Sequence, residues 1–405
     1  MLKKVAKVII YICGILGQIP FHLIFLISFF IPRSKKIWVF GCWEGDKFRG
    51  NSKYLYLYAL KYHPEVKSIW ITKNSKVFDL LTKNNKPVLK AFDYQSYYYC
   101  ARAKFAFVTH GIIDINEYAT GGQIIINSSH SIYPIKDMKR GLPRSILSKL
   151  YVILRFPYGY LGKPTYAVTA SEFTLQATKH HYNISESKII TTGVPKTDYL
   201  LSNSKDDFDL ESEQYKSKLN CFICEGQKLF LFLPTWRGDK NFSIFDFGFN
   251  VLKLQKFLEK INAKIIFNFH PAHINKVFPD FTQYNNIEIY SYKGDEMNQI
   301  LRKANLLITD YSALFADFLL FDKPIIFANF DHDKYVKEKG LFVDYNTLPG
   351  IKAQDWNEIY LHLKEIFIYN IDSFKASREE YKKKIYPHVG DSARQNIIDF
   401  IKKIR

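Results

Sequence analysis

Short apolar runs, rich in β-branched and aromatic residues, recur along the chain between longer mixed stretches. They predict strands at residues 37–42, 68–72, 87–91, 105–109, 123–127, 166–169 and 188–192. Helical patterns fall between several of them, as at 52–62 and 75–82. The polar segment 202–218 (SNSKDDFDLESEQYKSK) reads as a linker. A second series of strands follows at 229–233, 264–269, 287–290, 306–308 and 324–328, with closing helices at 354–369, 373–384 and 392–403. Apolar strands alternating with helices describe parallel sheets covered on both faces. The predicted fold is α/β, with two Rossmann-like domains facing a central cleft. The expected boundaries are 1–36, 37–215, 216–385 and 386–405, the last a helix packing back on the cleft.

Residues 8–32 form an apolar run without an acid, Lys or Arg, long enough for a bilayer-spanning helix. Pro20 would break that helix, Gln18, His22 and Ser28 interrupt it, and both flanks are basic. The pattern favours a pair of interfacial helices in the inner leaflet over a simple span. A fully buried hydrophobic helix is the alternative.

At 405 residues the chain suits two domains, and its 17% aromatic content excludes disorder. The net charge of +18 favours anionic partners. Phosphates and acidic membrane surfaces rank first. With no compact basic reading helix and no zinc-finger spacing, no nucleic acid partner is expected. Cys221 and Cys224 form a CxxC without a second pair, and five scattered cysteines suit reduced thiols. No GxGxxG or GxxxxGK[ST] motif is present, no metal cluster is evident and no obligatory cofactor is expected.

The most informative segment is LLITDYSALFADFLLFDKPIIFANF, residues 306–330. It reads as strand–helix–strand with Thr309-Asp310-Tyr311-Ser312 where the first strand meets the helix. Ligands of open α/β sheets bind at such strand ends, and the first helical amides suit an anion. Asp and Ser are equally common helix caps, so an ordinary capped unit is the competing reading. Four more short elements sit at predicted strand ends: NSSHSIYPIKDM around His130, the turn GVPKTD, the tetrapeptide PTWR ending at Arg237, and His270-Pro271.

Together these motifs resemble the CDP-glycerol glycerophosphotransferase family, the teichoic acid primases and polymerases of Gram-positive cell walls, over roughly residues 100–400. GVPKTDYL resembles the family's G-[YV]-P-[RK]-x-D-x-L, LPTWRGD its A-P-T-W-R, and ITDYSALFADF its I-T-D-Y-S-S-x-x-x-D-[YF]. The resemblance implies a GT-B architecture, with the acceptor on the N-terminal domain and the CDP donor on the C-terminal one. It implies transfer of glycerol phosphate or a related polyol phosphate from CDP-glycerol or CDP-ribitol, with release of CMP. The acceptor would be an undecaprenyl-linked or polyol-phosphate hydroxyl, at the cytoplasmic side of the cell membrane, in teichoic acid or capsule synthesis.

Phosphoryl transfer needs a proton acceptor and charge stabilisation at the phosphate oxygens. By resemblance, His130 is the general base, although the family's W-H-G-T-P-L-K stands here as SSHSIYPIK. His110 in THGIID is its competitor. His270 is expected to contact the donor diphosphate. Arg237 offers a guanidinium fork for phosphate, against the alternative of a surface salt bridge. Ser312 would face the phosphates at the helix start, and Thr235 is a further phosphate candidate. Asp310 would orient its loop rather than touch an anion. Asp317 could bind a ribose or glycerol hydroxyl, or be an exposed helix residue. Lys136 could bind acceptor phosphates, and Ser392 and Arg394, in GDSARQ, resemble a late family segment near the diphosphate. Two other readings stay open: a GT-B glycosyltransferase using a sugar nucleotide, and a non-catalytic module binding anionic polymer.

Overall fold

The computed structural model describes residues 17–129, 132–133, 135–136, 164–202, 222, 226–235, 237, 242–269, 279–291, 297–388 and 392–404. The chain divides into two compact units. The first comprises residues 1–130, 141–210 and 388–405, and the second residues 131–140 and 211–387.

The first unit holds a seven-stranded sheet: β1 (Ser34–Phe40), β2 (Lys67–Thr72), β3 (Val88–Lys90), β4 (Ala103–Val108), β5 (Ile124–Asn127), β6 (Tyr166–Thr169) and β7 (Ile189–Thr191). Its order is β3-β2-β1-β4-β5-β6-β7, with every pairing parallel. Residues alternate faces along each strand. Val39 therefore joins Ile69, Ile71, Ala106 and Val108 in one core. Trp38 and Phe40 point the other way, Phe40 stacking on Phe107 at 4.6 Å and meeting Tyr56 of the helix Gly50–Tyr62 at 5.4 Å.

The second unit repeats the plan: β8 (Lys228–Leu233), β9 (Ala263–Phe269), β10 (Ile287–Ser291), β11 (Leu306–Thr309), β12 (Ile325–Ala328) and β13 (Ile351–Ala353). They run parallel in the order β10-β9-β8-β11-β12-β13. The edge strand β13 is absent from the strands predicted above. Phe232, Phe267 and Trp356 centre this core, with Trp356 stacked on Phe232 at 5.3 Å and its indole donating to Ile244 O at 2.8 Å. In both sheets the order reverses beside one strand pair, β1/β4 and β8/β11.

The helix Ile19–Ser28 is the part of the N-terminal apolar run that lies within the described residues. Ser28 Oγ accepts from Gly121 N at 2.8 Å, and Phe21 stacks on Tyr118 at 4.4 Å. Arg33 donates to Ala103 O at 2.8 Å and to Gly121 O. Ile19, Leu23, Leu26, Ile27, Phe29 and Phe30 remain exposed. Among the described residues no helix is long and apolar enough to cross a membrane. Cys42 and Cys100 are buried and in no disulfide among the described residues, while Cys13, Cys221 and Cys224 lie outside them.

Candidate active site

In the second unit the reversal point is built from the ends of β8 and β11. Thr309 Oγ1 donates to Leu233 O at 2.7 Å and ties the two strand ends together. Asp310 follows and is 3% exposed, so its carboxylate has to be satisfied internally. It accepts the Thr235 amide at 2.8 and 3.0 Å and the Tyr311 amide at 2.6 Å. Arg237 supplies the compensating charge, Nη2 lying 2.9 Å from Asp310 Oδ2.

Arg237 reaches further. Its Nε donates to Asp331 Oδ2 at 2.7 Å, Nη2 to Asp331 Oδ1 at 2.9 Å and Nη1 to Thr235 O at 2.7 Å. The guanidinium therefore fastens the ends of β8, β11 and β12 to one another. Burial works against its charge, but Asp310 and Asp331 outweigh burial and hold it more firmly protonated than usual. Tyr311 and Tyr335 stack at 3.8 Å beside it, with the Arg237 Cζ 4.5 Å from the Tyr335 ring. Tyr345 donates its hydroxyl to Asp310 O at 3.1 Å. Asp331 escaped the sequence reading, and its only signal was its place just after an apolar strand.

The remaining expected residues of this unit lie around that hub. Ser312 is half-buried, and its Oγ accepts from Leu314 N at 3.3 Å ahead of the short helix Leu314–Phe318. Asp317 on that helix is buried rather than exposed, close enough to raise the Tyr386 hydroxyl after burial has already done so. The Thr235 hydroxyl is buried and meets no hydrogen-bond partner among the described residues. Lys136 bridges to Leu341 through its backbone. Burial lowers its ammonium, and the Asp310 carboxylate partly offsets that. His270 lies outside the described residues.

The first unit carries the others. Asp198 of GVPKTDYL accepts the Ala393 amide at 3.1 Å, the Arg394 amide at 3.0 Å and the Arg394 Nε at 3.0 Å. Ser392 caps the helix Ala393–Lys403, its Oγ accepting from Gln395 N at 3.2 Å and donating to Asp198 at 3.4 Å. Ser392 and Arg394 thus meet a motif 194 residues away from Ser392 in the chain, in the unit that does not carry Thr235, Arg237 and Asp310.

His130 lies outside the described residues, but the chain leading to it is described. Asn127 Oδ1 accepts the Ser129 amide and the Tyr182 hydroxyl, both at 2.8 Å. Ser129 is held in the left-handed region (φ 57°), a strained conformation for a non-glycine residue. Asn51, 2% exposed, donates to Ser128 O at 2.8 Å and Ser129 O at 2.9 Å while accepting from Lys196 N at 2.9 Å. It therefore ties the approach to His130 to the GVPKTD turn. Asn51, too, escaped the sequence reading.

His110 sits beyond the end of β4. Its Nδ1 lies 3.1 Å from Thr109 Oγ1, and its amide donates to the buried Asp114 at 2.8 Å. Asp114 also accepts the Thr109 amide and the Glu44 amide, each at 2.7 Å. Gly41 is obligatory here, because a Cβ at that position would collide with Asp114 O.

Comparison with known proteins adds to this geometry. The family of CDP-glycerol:poly(glycerophosphate) glycerophosphotransferases matches residues 23–403. The teichoic acid ribitol-phosphate polymerase TarL of Staphylococcus aureus is 29% identical over 203 residues, 48% of this chain and 34% of that protein. The chain thus spans about a third of that relative's length. The teichoic acid glycerol-phosphate transferase of Staphylococcus aureus is 25% identical, over 82% of this chain and 84% of its own. In fold the chain is similar to the wall teichoic acid polymerase TagF, with a TM-score of 0.72 at 19% identity, covering 100% of this chain and 98% of that one. With a match from residue 23 to residue 403 and two parallel sheets of this order, the chain belongs to the CDP-glycerol:poly(glycerophosphate) glycerophosphotransferase family.

Proposed function

We propose that the chain transfers glycerol phosphate, or a related polyol phosphate, from a CDP-activated donor to a hydroxyl of a polyol-phosphate acceptor. The observation that carries this reading is the cluster of Thr235, Asp310 and Arg237 at the β8/β11 reversal, in a chain of this family. The acceptor oxygen attacks the β-phosphorus of the CDP-polyol, the bond to the bridging oxygen breaks, and CMP leaves. His130 takes the hydroxyl proton. His270, the Ser312 hydroxyl and the Thr235 hydroxyl stabilise charge on the diphosphate oxygens. Asp310 and Arg237 keep the loops carrying those groups in register. Lys136 draws an acceptor phosphate towards the reacting end, and Asp317 serves a ribose or glycerol hydroxyl. His110 is the alternative base. Ser392 and Arg394 shape the GVPKTD turn through Asp198.

The same reading places the chain at the cytoplasmic face of the cell membrane. The exposed apolar residues of Ile19–Ser28 and the positive charge support docking on an anionic leaflet, where an undecaprenyl-linked acceptor is presented. Teichoic acid and capsule synthesis are both settings for this chemistry.

The test is CMP release by the purified chain from CDP-glycerol and from CDP-ribitol, with a lipid-linked acceptor. Turnover with one of them is expected, falling at least about 100-fold in His130→Ala. No CMP from either donor contradicts the proposal, and consumption of a UDP-sugar in its place would favour glycosyl transfer.

A further inference from the structure

The reversal point of the first sheet carries a second constellation, which joins His110 to two residues no motif singled out, Trp43 and Arg49. Just beyond β1, Trp43 and Glu44 are both in the left-handed region, with φ of 49° and 57°. Two consecutive non-glycine residues there are a strained arrangement. The fold holds them by force: Glu44 N donates to Asp114 at 2.7 Å and Trp43 N to Thr109 Oγ1 at 3.3 Å. The result is an indole turned outwards, Trp43 being 36% exposed. The Arg49 guanidinium lies over its ring at 3.4 Å, and the His110 ring lies tilted to it with centroids 4.9 Å apart.

Arg49 is the informative member. Its Nε is buried and meets no acceptor among the described residues. Two nearby carboxylates are already engaged. Asp114 is taken by backbone amides, and Asp46 by Lys47 at 2.8 Å and the Asn74 amide at 2.9 Å. Asp46 also feels the Arg49 charge, but its oxygens are held by Lys47 and Asn74, so stacking on Trp43 fixes a planar fork whose Nε has no acceptor among the described residues, at the carboxyl end of a parallel sheet, where such folds bind ligands.

We infer that Arg49, Trp43 and His110 form an anion subsite that grips a phosphate of the acceptor. The inference rests on the proposed phosphotransferase reading and deepens it. The motifs matched to the donor, PTWR, HP and TDYS, belong to the other unit, which leaves this one for the acceptor. The guanidinium fork suits a phosphate bidentately, and the indole face suits the apolar edge of a polyol chain.

The test is a binding and kinetic series on the full chain with a short synthetic oligo(glycerol phosphate). Arg49→Ala is expected to raise both its Kd and its KM about tenfold, with the CDP-glycerol KM unchanged. Arg49→Lys should recover part of the loss, because it keeps the charge but not the fork. Trp43→Ala should weaken binding, with melting curves checking that each variant folds. A Kd unmoved by Arg49→Ala for both the oligomer and a lipid-linked acceptor, in a chain that releases CMP, overturns the subsite and spares the reaction. Binding lost in Arg49→Ala, in a chain that releases no CMP, overturns the reaction and spares the subsite. A matching rise in the CDP-glycerol KM would assign Arg49 to the donor and overturn the inference. Repeating the series with a lipid-linked acceptor separates the sources. A rise confined to that substrate identifies the gripped phosphate as the lipid diphosphate, and a rise with both identifies it as the polyol phosphate.

Discussion

Arg237 illustrates how a residue type can be read from sequence while its partners cannot. A guanidinium beside PTW suggests phosphate, and nothing local announces Asp310 or Asp331, the latter 94 positions further on. The adjacent order β8-β11-β12 brings them together. The side chain is 6% exposed, so its removal strands two buried carboxylates. Arg237→Ala should therefore lower stability by about 3–5 kcal/mol, read as a shift in the urea midpoint. A guanidinium spent mainly on ligand phosphate would instead leave that midpoint in place and raise the donor KM. Asn51 and Asp114 were illegible for the same reason: a buried amide or carboxylate gains its role from strand ends that only the fold makes neighbours.

At the scale of elements the pattern was far more legible. Strands buried on both faces are continuous apolar runs, and each predicted run became a strand within a residue or two at most ends. The helix Trp356–Phe367 buries Trp356, Ile359, Tyr360, Leu363 and Ile366, a helical period visible before folding. The exception was β13, three residues long at the sheet edge, too short for any period to register. Two predictions belong at this scale. Asp198 fastens the helix Ala393–Lys403 through two amides and Arg394, so Asp198→Ala should cost about 2 kcal/mol and speed amide exchange in that helix. In β13, burial lowers the Lys352 ammonium from 10.5 to about 8. Between those values the unfolded chain binds the proton and the folded chain does not, so this group's contribution to stability rises with pH across that window. Urea midpoints of the wild type and Lys352→Met should converge as pH climbs from 8 towards 10, and parallel curves would contradict the assignment.

For the whole molecule, two sheets whose strand order reverses in the same way carry a side-chain constellation at each reversal point: an ion-paired hub in the second unit and a strained, arginine-stacked turn in the first. The α/β architecture was legible because alternation of strand and helix survives without knowing any partner. The proposed division of labour needs a reaction in which phosphorus itself changes hands. The most direct measurement follows CDP-glycerol radiolabelled at the β-phosphorus. The account predicts that the label moves to the acceptor and the released CMP is unlabelled. Label retained on the nucleotide, with none in the acceptor, would contradict it.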